Sequence, residues 1–285
     1  MEETLDVPFT CAGVAGLGLI GGSLALALRQ AGLPVAGYDI DAATVRAANE
    51  AGIAASAAPD ALFDADILFV ALYPDAVIDF VRTHAARIRK GGLVVDCCGV
   101  KTRVVKTLAP VAAASGFTFI GGHPMAGSEF GGFGAAHAGL FAGASFLLTP
   151  PDPQTPQLAE LEALLRRIGC VPNVTDPAHH DRMIAFTSQL PHALACAYVL
   201  SSSCPGHAGF SAGSYRDVSR VAHINPALWA ELFLENRDAF CAEMDEMIGH
   251  LQALRDAAAA DDRGALETLL QAARKRKDQD TLPQL

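Results

Sequence analysis

The sequence has no apolar run approaching the roughly 20 residues that a bilayer span requires, because Gly, Pro or a charge interrupts each long apolar stretch. No membrane helix is expected. Met1 to Thr10 carries Glu2, Glu3 and Asp6 where a secretory leader would have basic residues and an apolar block, so the chain is expected to remain in the cytoplasm. Basic charge is also scarce: 21 Lys and Arg stand against 31 Asp and Glu, a net charge of −10. That balance argues against nucleic acid as a partner, since phosphate binding draws on a surplus of Lys and Arg. Paired cysteines are missing too. The seven present (Cys11, Cys97, Cys98, Cys170, Cys196, Cys204 and Cys241) are scattered and never spaced C-x-x-C, which leaves neither a zinc site nor a thioredoxin-like motif. They read as reduced, mostly buried small side chains, and no metal site is expected.

What remains is a chain able to fold on its own. With 285 residues, 51% hydrophobic and 18% charged, it can bury a substantial core, and its length suits two modest domains. From Thr10 to about Thr175, β-type runs alternate with helical stretches: Cys11 to Ala15, Pro34 to Tyr38, Ile67 to Leu72, Leu93 to Val95, Phe117 to Ile120, Ser145 to Leu148 and Val171 to Val174. Several are continuously apolar, as strands covered on both faces must be. The expected fold class is therefore α/β, a Rossmann-type doubly wound sheet followed by an all-helical C-terminal domain. The boundary falls close to Pro177, dividing residues 1–175 from 176–285.

In the helical half, Pro191 lacks the N–H that would bond the carbonyl of Thr187, so the helix from about His179 to Leu200 should kink or break there. Asn225 followed by Pro226 is a helix start, with Asn as cap and Pro in the first turn. The helix that follows carries Phe240, Met244, Met247, Leu251, Leu254 and Ala258 at alternating spacings of four and three. That seam needs a partner helix, within the chain or across a homodimer, and periodicity alone does not separate the two. The basic run Arg274 to Lys277 reads as a solvated helix end.

Gly16-Leu17-Gly18-Leu19-Ile20-Gly21 follows a strand and opens an apolar helix, the context a dinucleotide fingerprint requires. Gly16 permits the tight turn, Gly18 admits the pyrophosphate, and Gly21 allows close helix-to-strand packing. The amides at Leu19 and Ile20 open the helix toward the phosphates. Asp39, at the end of the second strand, is placed to accept hydrogen bonds from the adenosine ribose and to repel a 2′-phosphate. The expected cofactor is NAD.

A strand ends at Asp96 and the next at Gly121-Gly122, and carboxyl ends of strands line the ligand crevice of such a fold. His123 follows. An imidazole there can take a proton from a substrate hydroxyl while hydride leaves the same carbon, although a structural loop histidine would read the same way. The motif His123-Pro124-Met125-Ala126-Gly127-Ser128-Glu129, downstream of the glycine run and of Asp96-Cys97-Cys98-Gly99-Val100-Lys101, resembles the prephenate and arogenate dehydrogenase family of tyrosine biosynthesis. Matching segments continue in order: His179-His180-Asp181-Arg182, Ser188-Gln189-Leu190-Pro191-His192, Arg216-Asp217-Val218-Ser219-Arg220, Asn225-Pro226, Trp229 and Asn236.

The resemblance implies an NAD-dependent oxidative decarboxylation of a small anionic substrate, prephenate or arogenate, with prephenate preferred. It implies that His123 is the catalytic histidine, that His192 is a second active-site histidine, and that Arg220 holds a substrate carboxylate through its planar fork. It also implies that Glu129 and Trp229 line the pocket, and that the helical half carries a homodimer contact. His180 and Asp181 read as structural partners at the domain junction, and Arg216 as a solvated side chain paired locally. Two positions depart from the family pattern. Gly99 stands where many members have Ser, with Thr102 or a water as a possible replacement, and Gln189 stands where many have His.

Two other readings compete. A 3-hydroxy-acid dehydrogenase also joins a Rossmann domain to a helical one, but would use a lysine early in the second domain, and Pro177 to Tyr215 contains none. A non-catalytic NAD-binding sensor would keep the glycine run but have no use for His123 together with Arg220.

Overall fold

The computed structural model describes residues 8–128 and 130–280. Its order of elements is β1 (Ala12–Ala15), α1 (Leu19–Gln30), β2 (Val35–Tyr38), α2 (Ala42–Glu50), β3 (Ala54–Ser56), β4 (Ile67–Val70), α3 (Pro74–His84), β5 (Leu93–Asp96), α4 (Thr102–Ser115), β6 (Thr118–Pro124), β7 (Ser145–Thr149), α5 (Pro156–Arg167) and β8 (Val171–Val174). The strands form one sheet in the order β3-β2-β1-β4-β5-β6-β7-β8. Neighbours are parallel except β6 and β7, which run antiparallel. The order reverses direction at β1, between β2 and β4, and there a crevice opens beyond the strands' carboxyl ends.

The apolar runs explain the layering. β1, β4 and β5 are buried along their whole length, so both faces of the sheet must be covered. One covering layer packs Leu24, Leu28, Leu161 and Leu164 against the sheet, and the other packs Val77, Phe80, Val81, Val104 and Leu108. Burying a side chain of this size contributes about 1.5–3 kcal/mol, which makes the sheet a rigid floor for what stands at its edge.

All seven expected strands are present, and β3 is an eighth. Its Ala-Ala-Ser sequence has exposed ends and none of the bulk that marks a strand in sequence; pairing with β2 alone defines it. A second difference has more consequence. β6 does not stop at Gly121-Gly122 but continues through His123 to Pro124, because His123 pairs with Leu147 of β7. Of the seven cysteines, none is in a disulfide and only Cys97, Cys98 and Cys170 are buried, whereas most were expected to be; burial pushes the Cys170 thiol up to about 12.

Helices follow to the end of the described chain: α6 (Pro177–Ile184), α7 (Leu190–Val199), α8 (Gly213–Ser219), α9 (Pro226–Glu235), α10 (Arg237–Ala259) and α11 (Arg263–Asp278). No helix among the described residues is long and apolar enough to cross a membrane. Between α6 and α7, Ala185–Gln189 forms a single wide turn of π-helix, the local solution to Pro191 in the next turn. Asn225 caps α9, its side chain accepting from Ala227 N and Leu228 N. The helix started there does not run on into the apolar seam. It ends at Asn236, whose backbone leaves the helical region (φ −108, ψ 25) and whose buried side chain donates to Asp181 O and Gln189 Oε1, each at 2.8 Å.

By internal contacts the chain forms two compact units, Met1–Asn236 and Arg237–Leu285. In the second, α10 and α11 pack together. Phe240, Met244, Met247 and Leu254 of the seam are half-buried, while Leu251 and Ala258 are exposed.

Candidate active site

The glycine turn joins β1 to α1. Gly16 has φ +85, and a Cβ there would stand 2.5 Å from the Ala71 carbonyl oxygen, so only glycine fits. A Cβ on Gly21 would lie 1.8 Å from Gly16 O; the helix leaves the turn too closely for any side chain. Gly18 differs, with nothing within 4 Å of a Cβ. The turn is open on that side, and the amides of the first helical turn, Leu19 and Ile20 among them, have no acceptor inside the helix. Fixed donors, a positive helix end and an open backbone make an anion cradle.

Asp39 completes the cradle. One oxygen accepts from Leu17 N at 2.8 Å and the other from Asp41 N at 2.9 Å, so the carboxylate holds the glycine turn as well as marking the end of β2. Asp41 lies beside it and caps α2 through Thr44 N at 2.9 Å and Thr44 Oγ1 at 2.8 Å. Two carboxylates therefore stand side by side at the end of β2, beside the glycine turn.

At the end of β5 a polar cluster sits wholly inside the protein. Lys101 and Asp96 form an ion pair with no exposure of either side chain. Cys98 Sγ lies 2.7 Å from Asp96 Oδ2, and burial together with the Asp96 charge keeps this thiol protonated. The cluster fixes the chain at Gly122, one residue before His123.

His123 is partly buried on β6, and its Nδ1 lies 2.9 Å from Nε2 of His180 on α6. His180 Nδ1 lies 2.8 Å from Asp181 Oδ1. Asp181 in turn accepts from Lys101 N and Thr102 N, both at 2.8 Å, at the start of α4. Burial, the neighbouring His180 and the Lys101 charge hold His123 well below the usual histidine range, and burial also lowers His180. Burial would raise Asp181, but hydrogen bonds from His180, Thr102 and Lys101 outweigh it and keep the carboxyl below its ordinary value. At neutral pH the site holds two uncharged imidazoles and one carboxylate.

The other nitrogen of His123, Nε2, faces Gly99: a Cβ on Gly99 would stand 3.8 Å from it and 3.4 Å from Leu232 Cδ2. Leu232 belongs to α9, one turn beyond Trp229. The Trp229 ring stacks on His192 of α7, with centroids 3.8 Å apart. His192 Nδ1 bonds Ser188 O at 2.7 Å, which leaves Nε2 as its second polar atom. Burial lowers the His192 pKa, and so does the positive charge of Arg220, which follows the last residue of α8. Gly99 thus stands between His123 and Leu232, while His192 is stacked on Trp229 and feels the charge of Arg220. Glu129 lies outside the described residues.

The two departures acquire physical readings. Gln189 is buried; its amide donates to Leu232 O at 3.0 Å and accepts from Asn236, which ties the wide turn to α9. Thr102 directs its hydroxyl hydrogen at Pro177 O, 3.3 Å away at the start of α6. His180 and Asp181, expected as structural partners only, make direct and one-removed contact with His123. The run His179-His180-Asp181 was the available signal, since it offers an imidazole and a carboxylate on adjacent residues.

A glycine turn on the same edge of a doubly wound sheet as an uncharged imidazole defines a dinucleotide-linked oxidoreductase of the Rossmann class. A profile described as the prephenate dehydrogenase nucleotide-binding domain matches residues 24–174, and one described as the prephenate dehydrogenase dimerization domain matches residues 176–272. The chain belongs to the prephenate dehydrogenase family. It is 33% identical over 264 residues to a cyclohexadienyl dehydrogenase of Zymomonas mobilis, covering 87% of this chain and 88% of that protein. It is 31% identical over 254 residues to a prephenate dehydrogenase of Bacillus subtilis, covering 85% of this chain and 68% of the relative. A solved prephenate dehydrogenase from A. aeolicus, in complex with hydroxyphenyl propionate and NAD+, superposes with a TM-score of 0.83 at 25% identity, over 95% of this chain and 98% of that one.

Proposed function

We propose that this chain is an NAD-dependent prephenate dehydrogenase that converts prephenate to 4-hydroxyphenylpyruvate, with residues 1–175 holding the dinucleotide and residues 176–285 supplying substrate contacts and a homodimer interface. The observation that carries the reading is the orientation of His123: Nδ1 is occupied by His180 while Nε2 faces Gly99, whose missing side chain leaves that nitrogen uncovered on that side. The depressed imidazole is unprotonated at neutral pH and accepts the proton of the substrate ring hydroxyl at Nε2. NAD, when bound, would supply the hydride acceptor; loss of the ring carboxylate as carbon dioxide makes the ring aromatic, and the proton held at His123 Nε2 returns to the phenolate oxygen.

The remaining residues bind and orient. The amides around Gly18, with Gly16, Leu19, Ile20 and Gly21, take the pyrophosphate, and Asp39 takes the ribose hydroxyls. Arg220 grips a substrate carboxylate. His192, held against Trp229, offers Nε2 to the substrate's polar side chain. A dual cyclohexadienyl activity, with arogenate as a second substrate, is favoured by the Zymomonas mobilis relative, and a cytoplasmic location suits a chain whose described residues form no spanning helix.

Initial rates with prephenate and arogenate, each crossed against NAD and NADP, test the proposal. Prephenate with NAD should be turned over fastest, and failure to reduce NAD with either substrate refutes the reading. His123→Asn should lower kcat by roughly 10²- to 10⁴-fold, the usual contribution of a general base, with the fold retained. Arg220→Gln should chiefly raise KM.

A further inference from the structure

We infer that Asp181 is a positioning residue that sets, through His180, which nitrogen of His123 carries the proton, so that Nε2 is held as the bare acceptor. The inference rests on the reading of His123 as the base and adds how that base is kept in working form.

The argument follows the direction of the hydrogen bonds. Lys101 N and Thr102 N can only donate, and both point at Asp181 from the N-terminal end of α4. A carboxylate can accept from all its neighbours at once, and a positive helix end favours its charge. Asp181 Oδ1 therefore presents a lone pair to His180 Nδ1 at 2.8 Å, and that nitrogen must carry a hydrogen. A neutral His180 protonated at Nδ1 has a lone pair at Nε2. At 2.9 Å from it, His123 Nδ1 must then be the donor, which leaves Nε2 of His123 bare. The alternative for His180, an imidazolium donating on both sides, is disfavoured by burial and by the charge of Lys101. Orientation thus passes from a helix terminus to a carboxylate, through one imidazole, to a second, and the second faces the reaction space.

An asparagine at 181 has one acceptor where three donors converge. If its oxygen stays toward His180 and Lys101 N, its NH2 opposes Thr102 N–H. If it turns over, NH2 faces His180 Nδ1, which must give up its hydrogen; Nε2 then carries it and His123 is protonated at Nε2. Such a His123 cannot accept a proton.

Histidine nitrogen–proton correlation NMR on the full-length protein labelled with 15N reads the tautomer directly, with His123→Asn identifying the His123 signals. In the wild-type protein at neutral pH, His123 should be the Nδ1–H tautomer, and in Asp181→Asn a substantial population should be Nε2–H. Asp181→Asn should also lower kcat with prephenate at least tenfold, with KM changed less than threefold. A wild-type His123 protonated at Nε2, or an Asp181→Asn enzyme with unchanged kcat, overturns the inference. The wild-type spectrum decides even where the variant does not fold. Absence of turnover by the wild-type enzyme would count against prephenate dehydrogenation, whereas the tautomer is read without substrate, so the two failures are separable.

Discussion

Lys101 and Asp96 together engage both backbone polar groups of Gly122: Lys101 Nζ donates to the carbonyl at 2.7 Å and Asp96 Oδ1 accepts from the N–H at 3.2 Å. The pair is sealed from water, so removing one partner strands the other charge. Lys101→Met should cost about 3–5 kcal/mol, the usual result of breaking a buried pair. Lys101→Met combined with Asp96→Asn should cost less than Lys101→Met alone. Urea unfolding midpoints measure both, and a double variant less stable than the single one would contradict the account.

The glycine turn should respond in two different ways. Gly21→Ala places a methyl 1.8 Å from Gly16 O, so the turn or the helix must shift, with loss of thermal stability and of cofactor binding together. Gly18→Ala meets no protein atom within 4 Å. It should leave Tm within a few degrees and weaken NAD binding, because the methyl fills the space where pyrophosphate approaches. Calorimetric titration beside a melting curve distinguishes the cases; a Gly18→Ala protein that binds NAD normally would show that phosphates do not pass there.

Asp39→Asn should weaken NAD binding by about 10-fold or more, the scale of losing a charged hydrogen-bond acceptor worth roughly 1.5–3 kcal/mol. It should not create affinity for NADP, because Asp41 keeps a negative charge next to the ribose position and Leu17 N loses its anionic acceptor. Titration with both dinucleotides checks this, and tight NADP binding by the single variant would refute it.

Stability should fall as solutions become mildly acidic. His123, His180 and His192 are all held below the ordinary histidine value, principally by burial. In the unfolded chain they titrate near about 6.5. As pH drops through that value the unfolded state takes up protons that the native state refuses, so stability is greatest above about pH 7 and declines below about 6.5. Asp181, also depressed, adds a second loss as pH falls below about 4. Urea midpoints at about pH 7.5 and 5.5 should differ in that direction, and equal midpoints would contradict the burial of these rings.

Periodicity made most of the sheet legible, because strands buried on both faces have little freedom in composition. It did not find β3, whose Ala-Ala-Ser depends on a neighbour, nor the end of α9 at Asn236, which depends on Asp181 and Gln189 lying within reach. In the site, the glycine turn was legible from its strand-to-helix context, and His123 from its motif. The bond between His123 and His180 was not: the residues are 57 positions apart and meet only when β6 and α6 are docked. Gly99 and Gln189 looked alike as departures in sequence, yet one lies against His123 Nε2 and the other is an internal brace.

The wide turn at Ala185–Gln189 has an angular consequence. His180 and His192 are twelve positions apart, which on a regular helix sets them about 120° out of phase. A single i-to-i+5 turn absorbs one surplus residue, so the spacing behaves as eleven and the offset shrinks to about 20°. Regular geometry on either side of the turn therefore sets two imidazoles near one flank that an unbroken rod would splay apart, and deleting a residue between them would rotate one of them away.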